Sequence, residues 1–314
     1  MASKQQVLAV VGPTASGKTG LGIRLATQYN GEIISCDSMQ IYKNMDIATA
    51  KATAQEQAQV PHHLIDFLDP LESYSVADFV QDAKGVIAEL SSRGKLPVMV
   101  GGTGLYVNSL LQNFNFDLVT EDASVRETLR KRLEEEGVDT LYCELVQKDP
   151  KLCTVLHKNN TGRVLRALEV IQVTGKPMSE IQRMAADTPK PYDSLVIGID
   201  YHDRQVLYDR INLRVDLMIE NGLLLEAETF FNTYQNTKTA AQAIGYKELK
   251  PYFDGLLPLE TCVETLKQKT RNYAKRQLTW FRKMENIVWI YGDDPSAGDL
   301  FVQASAAVDR WRNP

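Results

Sequence analysis

The chain has 314 residues, which at about 100–200 residues per domain predicts two domains or one domain with an insertion. Apolar residues make up 44% and charged residues 24%, a composition that excludes a disordered protein. The 35 basic and 40 acidic residues give a net charge of −5, which as an average argues against a nucleic-acid partner and an anionic membrane surface.

Other classes are also excluded at this level. No apolar run approaches the ~20 residues of a membrane-spanning helix, and the first residues lack the pattern of a signal peptide. The four cysteines are scattered without C-x-x-C spacing, which predicts neither a disulfide framework nor a zinc site. We therefore expect a cytoplasmic protein without membrane attachment.

The first hundred residues alternate between strand and helix patterns. Residues 7–11 and 98–100 are apolar runs typical of parallel strands buried on both faces, and residues 33–36 are predicted to form a further strand. Residues 18–29 and 75–92 are helical in pattern, and Ser75 with Asp78 forms a variant capping box at the start of the second helix. This alternation predicts an α/β fold, a parallel sheet with helices on both faces.

The pattern changes between residues 116 and 193, where we predict a mainly helical insertion. A capping box at residues 124–127 predicts a charged helix over 126–136, and a second helix is predicted over 161–174. Strand patterns return at residues 195–199 and 287–290. The predicted organisation is a first part of the core (1–115), the insertion (116–193) and a part that completes the core (194–314).

A phosphate-binding loop follows the first predicted strand. The sequence matches G-x-x-x-x-G-K-[ST] between a strand and a helix, the context that this motif requires. Backbone N–H groups and the helix N-terminus can then converge on phosphate oxygens, the lysine adds a charge, and the threonine hydroxyl can ligate Mg²⁺. The predicted phosphate-binding residues are Gly12, Pro13, Thr14, Ala15, Ser16, Gly17, Lys18 and Thr19.

The acidic residue predicted to lie near the phosphate-binding loop follows a different strand from the one that carries it in most nucleotidases. The strand at 98–100 ends in Gly101-Gly102-Thr103-Gly104 without an acidic residue, whereas the strand at 33–36 ends at Asp37. Asp37 would face the same crevice at the carboxyl edge of the sheet and could act as a general base. A purely structural role in a strand-end turn is the alternative.

Beyond the phosphate loop, seven further segments resemble the tRNA dimethylallyltransferase (tRNA isopentenyltransferase) family, in order, over residues 7–291. They are Asp37-Ser38-x-Gln40-x-Tyr42, Met45-Asp46-Ile47-x-Thr49-Ala50-Lys51, Pro61-His62-His63-Leu64, Gly101-Gly102-Thr103-Gly104-Leu105-Tyr106, Arg166-Ala167-Leu168-Glu169-Val170, Ala243-Ile244-Gly245-Tyr246-Lys247-Glu248 and Lys275-Arg276-Gln277-Leu278-Thr279-Trp280-Phe281-Arg282. The resemblance implies a P-loop NTPase-like fold. It also implies transfer of a dimethylallyl group from its diphosphate to N6 of the adenosine 3′-adjacent to the anticodon.

The resemblance also implies roles for individual residues. Lys18, Thr19 and Arg214 would neutralise the diphosphate leaving group, with Mg²⁺ as cofactor held by Thr19. Asp37 would be the general base, Thr103 would assist it, and Ser38 and Gln40 would contact the edge of the flipped base. The chain is expected to act as a monomer on dimethylallyl diphosphate and the tRNA anticodon stem-loop.

A basic segment gives the tRNA a second candidate contact surface. Residues 266–284 contain seven basic and no acidic residues, with aromatic residues interleaved, although an anonymous run of this kind is usually a solvated helix face. With the resemblance, the helical insertion would clamp the stem-loop. The full predicted tRNA-binding set is Asp37, Ser38, Met39, Gln40, Thr103, Arg126, Gly162, Arg163, Arg166, Gln242, Gly245, Tyr246, Lys247, Lys275, Arg276, Gln277, Trp280 and Arg282.

Three other functions remain open at this point. A P-loop kinase of a nucleoside or small metabolite would turn over ATP, and a carboxylate near Gly101 would have favoured it. An adenylate isopentenyltransferase would have no use for the long basic segment. A non-catalytic RNA-binding protein is disfavoured by the intact Lys18, Thr19 and Asp37.

Overall fold

The computed structural model describes residues 4–113, 122–186, 188–234, 237 and 239–313. The chain forms two compact units, one of residues 1–111 with 192–314 and the other of residues 112–191. The predicted start of the insertion, residue 116, lies outside the described residues. The smaller unit ends at residue 191 in this division, next to the predicted end at residue 193, and the strand that follows begins at Tyr192.

Six parallel strands form the sheet of the larger unit, which confirms the predicted α/β fold. Their order across the sheet is β3-β2-β4-β1-β5-β6. Because neighbouring strands are all parallel, each connection from one strand to the next along the chain is a crossover. Residues 7–11 of the central strand β1 are fully buried, as the apolar run predicted. The strands are β1 (Gln5–Val11), β2 (Gly31–Ser35), β3 (His62–His63), β4 (Leu96–Gly101), β5 (Tyr192–Asp200) and β6 (Ile287–Tyr291).

Helices of the larger unit cover the sheet and extend beyond its carboxyl edge. Ser75 and Asp78 form the predicted capping box, with each side chain accepting a hydrogen bond from the other residue's backbone N–H. The helices are α1 (Lys18–Gln28), α2 (Ala54–Gln59), α3 (Val76–Ser92), α4 (Gly104–Leu111), α9 (Arg204–Glu220), α10 (Leu223–Thr233), α11 (Tyr246–Phe253), α12 (Leu259–Phe281) and α13 (Leu300–Arg312), with α5–α8 in the smaller unit.

The described part of the smaller unit is helical, as predicted. Its helices are α5 (Ala123–Lys148), α6 (Pro150–Cys153), α7 (Thr161–Thr174) and α8 (Met178–Ala186). The predicted capping box at residues 124–127 is wrong, because the side chain of Asp122 caps α5 by accepting hydrogen bonds from the N–H groups of Ser124 and Val125. The predicted helix end at Glu136 coincides with a break at Gly137 (φ 78°), after which a further helical stretch continues. Across the described residues, no helix combines the length and apolarity needed to cross a membrane.

Candidate active site

A cavity of about 260 Å³ lies beyond the carboxyl ends of β1 and β2, in the larger unit. This is the edge of a parallel sheet where ligands bind in open α/β folds. Segments far apart in the chain contribute to its wall, including α9 and α12. The sequence-predicted residues that line it are Thr14, Lys18, Thr19, Asp37, Ser38, Met39, Gln40, Arg214, Gln242, Gly245, Lys247, Arg276 and Gln277.

The phosphate loop has the backbone conformation that its glycine pattern predicts. Gly17 has φ 93°, a region that suits glycine, and Ala15 also adopts positive φ at 62°. The N–H of Ser16 donates to the carbonyl of Pro13 at 3.3 Å, which closes the loop, and α1 starts directly after Gly17. The loop therefore presents a helix N-terminus to the cavity, an arrangement suited to phosphate.

Two side chains, one directly after β5 and one on α9, hold the loop's carbonyl groups. Arg210 Nε donates to the carbonyl of Ala15 at 2.9 Å, and the hydroxyl of Tyr201 donates to the carbonyl of Ser16 at 3.1 Å. With these carbonyls bonded to the protein, the loop is fixed before any ligand binds. Sequence reasoning assigned no role to Arg210 or Tyr201.

Charged groups in the cavity shift the pKa values of Lys18 and Arg214. Burial, followed by the charge of Arg214, lowers the pKa of Lys18 to about 8, while Asp37 opposes this shift. Burial also lowers the pKa of Arg214, again opposed by Asp37. With Lys247 and Arg276 also in the cavity wall, four cations and one carboxylate leave a surplus of positive charge, which favours an anionic ligand.

Asp37 is held in a turn directly after β2. Its Oδ1 accepts a hydrogen bond from the N–H of Met39 at 2.9 Å. The hydroxyl oxygen of Thr103 accepts one from the N–H of Ser38 at 3.1 Å, and the N–H of Thr103 donates to the carbonyl of Cys36 at 3.1 Å. Thr103 therefore fixes the backbone on both sides of Asp37. The turn uses Oδ1 of Asp37, so Asp37 can hold the turn and still use Oδ2 in chemistry.

The amide of Gln40 is bonded within the protein. Its Oε1 accepts from the hydroxyl of Ser35 at 3.2 Å, and its Nε2 lies 3.1 Å from the carbonyls of both Thr49 and Ala50. These contacts fix the cavity wall formed by Thr49 and Ala50. The assignment of Gln40 to the edge of a substrate base stays a prediction beside this structural role.

A carboxylate that sequence reasoning missed holds the adjacent part of the wall. Glu226 on α10 accepts hydrogen bonds from three consecutive N–H groups, those of Asp46 (2.9 Å), Ile47 (2.7 Å) and Ala48 (2.9 Å). It also accepts one from the hydroxyl of Tyr246 at 3.0 Å. Tyr246 is fully buried, which argues against the direct tRNA contact predicted for its side chain.

Helix α12 presents both charged and aromatic groups to this region. Arg276 and Tyr273 line the cavity, and the guanidinium lies 5.6 Å from the centre of the tyrosine ring. Lys275 is exposed, and the ring of Trp280 packs so closely against Gly104 that a Cβ there would lie 2.2 Å from Cδ1. Lys275 and Trp280 therefore lie on the same helix as the cavity residues but do not line the cavity.

Part of the positive charge of residues 266–284 is neutralised within the protein. Lys267, Arg271 and Arg282 form ion pairs with Asp216 (2.6 Å), Glu264 (3.3 Å) and the buried Asp200 (2.6 Å), respectively. Arg282 therefore has an ion-pair partner within the protein, in addition to the tRNA contact predicted for it. The exposed basic residues of this segment are Lys269, Lys275, Arg276, Arg282 and Lys283.

Comparison with known proteins decides the family. The IPP transferase family model matches residues 40–284, and the isopentenyl transferase model matches residues 5–66. The tRNA dimethylallyltransferases of Halalkalibacterium halodurans and Bacillus subtilis are each 49% identical to this chain over 91% of its length and 91% of theirs.

The chain belongs to the IPP transferase family. The crystal structure of a tRNA isopentenylpyrophosphate transferase from Bacillus halodurans is 44% identical, with a TM-score of 0.72 over 99% of each chain. A eukaryotic dimethylallyltransferase acting on tRNA is 33% identical, with a TM-score of 0.84 over 98% of this chain and 80% of that one. The resemblance inferred from the motifs and the P-loop NTPase-like fold are confirmed.

Four further sequence-predicted residues lie in the smaller unit of this IPP transferase family member. Arg126 and Arg166 both pair with Glu169, at 3.2 and 3.0 Å, and Glu169 is buried on α7. Gly162 and Arg163 are exposed at the start of the same helix. The buried carboxylate thus orients the two arginines within this unit.

Proposed function

We propose that the chain transfers the dimethylallyl group of dimethylallyl diphosphate to N6 of the adenosine that is 3′-adjacent to the anticodon in tRNA. The observation that carries the proposal is one cavity in which a phosphate loop with two cations faces the carboxylate of Asp37. The printed names of the 45–50% identical relatives support the same activity.

The cations are suited to the leaving group. As the C1–O bond of the allylic substrate breaks, negative charge develops on the diphosphate, and the loop N–H groups, Lys18 and Arg214 lie where they can stabilise it. No water has to be positioned, because the electrophile is carbon and not phosphorus. This accounts for a cavity whose carboxylate follows β2 and not β4.

The carboxylate is suited to the acceptor. The bond from N6 to C1 forms as the diphosphate leaves, and the proton that N6 loses passes to the Asp37 carboxylate. Thr103 holds the backbone of this carboxylate through Cys36 and Ser38, so its position is set before the acceptor arrives. The adenine must leave its stack to reach this position, as bases do in other enzymes that modify them.

The donor set of the cavity also fits Mg²⁺. The Thr19 hydroxyl lines the cavity beside Asp37, and Mg²⁺ characteristically takes one or two protein oxygens together with phosphate oxygens and water. Thr19 would hold the ion, which when bound would neutralise part of the diphosphate charge. Within the described residues no group of three or more His, Cys, Asp or Glu side chains is arranged to hold a metal, so the diphosphate itself would complete the site.

The stem-loop is assigned to two surfaces. In the larger unit it would contact the exposed Lys275 and Arg276 near the end of α12, and in the smaller unit Arg126, Arg163 and Arg166, with the smaller unit acting as a clamp. We also propose that the enzyme is monomeric and cytoplasmic. An anticodon stem-loop has many phosphates that a basic helix face can contact, whereas a free nucleotide has few.

The direct test incubates the protein with Mg²⁺, labelled dimethylallyl diphosphate and an unmodified tRNA transcript. Label is expected on the transcript and absent from a control transcript with guanosine in place of the target adenosine. ATP and free AMP are supplied in parallel reactions. Label on AMP alone, or consumption of ATP without labelled tRNA, would overturn the proposal.

The lowered pKa of Lys18 predicts a pH dependence. A lysine is charged below its pKa, so in the free enzyme the cation is lost as pH rises through about 8, and kcat/KM for dimethylallyl diphosphate should fall there. At saturating diphosphate the bound anion holds the proton, so kcat should not show this fall. Both parameters are measured between about pH 6.5 and about pH 9.5.

The matched control for this profile is Lys18→Arg. A guanidinium stays charged throughout the range, so the alkaline fall in kcat/KM should disappear even if the absolute rate is lower. A fall that persists in Lys18→Arg, or a native profile that is flat through pH 8, would show that Lys18 does not titrate in this way.

Replacing both Lys275 and Arg276 by alanine should weaken tRNA binding and its salt dependence. Each lost phosphate contact lowers the slope of log K against log salt by about one unit, so the double variant should lose about two. The measurement is a tRNA dissociation constant at a series of salt concentrations.

The control is Arg310→Ala with Arg312→Ala, which removes the same charge from the exposed end of α13. This control should retain the native slope, because non-contacting charges release no counterions. Equal slopes for all three proteins would remove Lys275 and Arg276 from the tRNA surface.

A further inference from the structure

Gln277 differs from the other polar residues of α12 because its side chain points into the protein. It is 5% exposed and lies on the inner face of the helix with Ala274 and Phe281. Gln268, on the same helix, is exposed. A buried amide requires partners for both its oxygen and its nitrogen, since an unpaired buried polar group is costly.

The two ends of this amide bond to two different loops of the active site. Its Oε1 accepts a hydrogen bond from the N–H of Thr14 in the phosphate loop at 2.9 Å. Its Nε2 donates to the carbonyl of Gly102, after β4, at 3.0 Å. A single side chain therefore sets the spacing between the phosphate loop and the loop that follows β4.

The glycine at position 102 provides the space for this amide. A Cβ at Gly102 would lie 2.2 Å from Nε2 and 3.4 Å from Cδ of Gln277, whereas the nearest atom of another residue, the carbonyl oxygen of Gly12, would be 3.7 Å away. The methyl group of an alanine at position 102 would therefore meet the Gln277 amide first. The close fit of Gly102 to Gln277 agrees with the hydrogen bonds in giving this side chain a specific placement.

The loop after β4 leads directly to the carboxylate. Thr103 follows Gly102 and accepts the hydrogen bond from the N–H of Ser38, next to Asp37. We propose that Gln277 is a positioning residue that holds the diphosphate-binding loop in register with the loop that orients Asp37. The proposal rests on the proposed function for what the two loops do, and it replaces the tRNA contact expected for Gln277 from its motif.

The first test is Gln277→Met, which retains the length of the side chain and removes both hydrogen bonds. A small misplacement of reacting groups costs up to about 10²-fold, so kcat/KM for dimethylallyl diphosphate should fall about 10–100-fold. The affinity for inorganic diphosphate, measured by calorimetry, should fall as well, whereas the tRNA dissociation constant should stay native. Gln268→Met is the matched control and should leave all three quantities unchanged.

The second test is a double-mutant cycle. Gly102→Ala should lower kcat/KM about 10-fold in the native background, because its methyl group displaces the amide. In a Gln277→Ala background the amide is already absent, so the same methyl group should have little further effect. Losses that simply multiply would show that the two residues act separately and would overturn the inference.

The readouts separate this inference from the proposed function. If the native protein binds inorganic diphosphate and transfers no dimethylallyl group, the proposed function fails while the effect of Gln277→Met on diphosphate affinity remains measurable. Native diphosphate affinity in Gln277→Met overturns the positioning role. A raised tRNA dissociation constant with unchanged diphosphate affinity would instead return Gln277 to the tRNA surface.

Discussion

Asp37→Asn is expected to lower kcat about 10²–10⁴-fold, the usual contribution of a positioned general base. The exocyclic amine of adenine is a weak nucleophile because its lone pair is delocalised into the ring, so removal of its proton has to accompany attack. The amide retains an oxygen that can accept from the N–H of Met39, which preserves the turn and removes the base alone. The tRNA dissociation constant should therefore be close to native.

The chain contains a matched control for this substitution. Asp69 is outside the cavity and its Oδ1 accepts from the N–H of Leu71 at 2.9 Å, the same turn geometry as at Asp37. Asp69→Asn should leave kcat unchanged. If both variants have native turnover in a single-turnover assay with saturating substrates, Asp37 is a turn residue and not the base.

The sheet and the phosphate loop could be predicted because their physical causes are local. A strand buried on both faces is a short apolar run, and residues 7–11 of β1 are such a run. The loop's fixed glycines and lysine are adjacent in sequence. By contrast, the start of α5 was misassigned because Asp122 and Ser124 are both good cap residues, and local sequence does not distinguish them.

The contacts that hold the site could not be predicted in this way. Thr14 and Gln277 are 263 residues apart, and Ala48 and Glu226 are 178 residues apart. Nothing in the local pattern around Glu226 distinguishes it from a solvated helix residue. Buried amides and carboxylates become recognisable only when the tertiary fold brings unpaired backbone groups to them.

The charge distribution shows the same limit of sequence reasoning. The net charge of −5 hides a segment, residues 266–284, with seven basic and no acidic residues. Three of these, including Lys267 and Arg271, are paired with acidic residues, so the segment offers less free charge than its composition indicates. The tRNA surface of α12 is therefore expected to depend most on Lys275 and Arg276, which are exposed and close to the cavity.

Lys18→Ala is expected to lower kcat/KM for dimethylallyl diphosphate about 10²–10³-fold, the typical loss when one group that stabilises developing charge is removed. The loss should fall mainly on kcat, because charge on the diphosphate increases as the C1–O bond breaks and the interaction is strongest in the transition state. Lys95→Ala, at the opposite edge of the sheet, should have native kinetics.

A second consequence distinguishes Lys18 from a residue that merely supports the fold. The charge of Arg214 lowers the pKa of Lys18, whereas Asp37 favours the charged forms of both groups, so Arg214 should stay charged opposite Asp37 when the Lys18 cation is removed. The alanine variant should therefore retain measurable diphosphate affinity through Arg214, while Lys18→Ala combined with Arg214→Ala should lose it. If Lys18→Ala alters KM and leaves kcat native, the lysine contributes to ground-state binding and the charge-stabilising role is wrong.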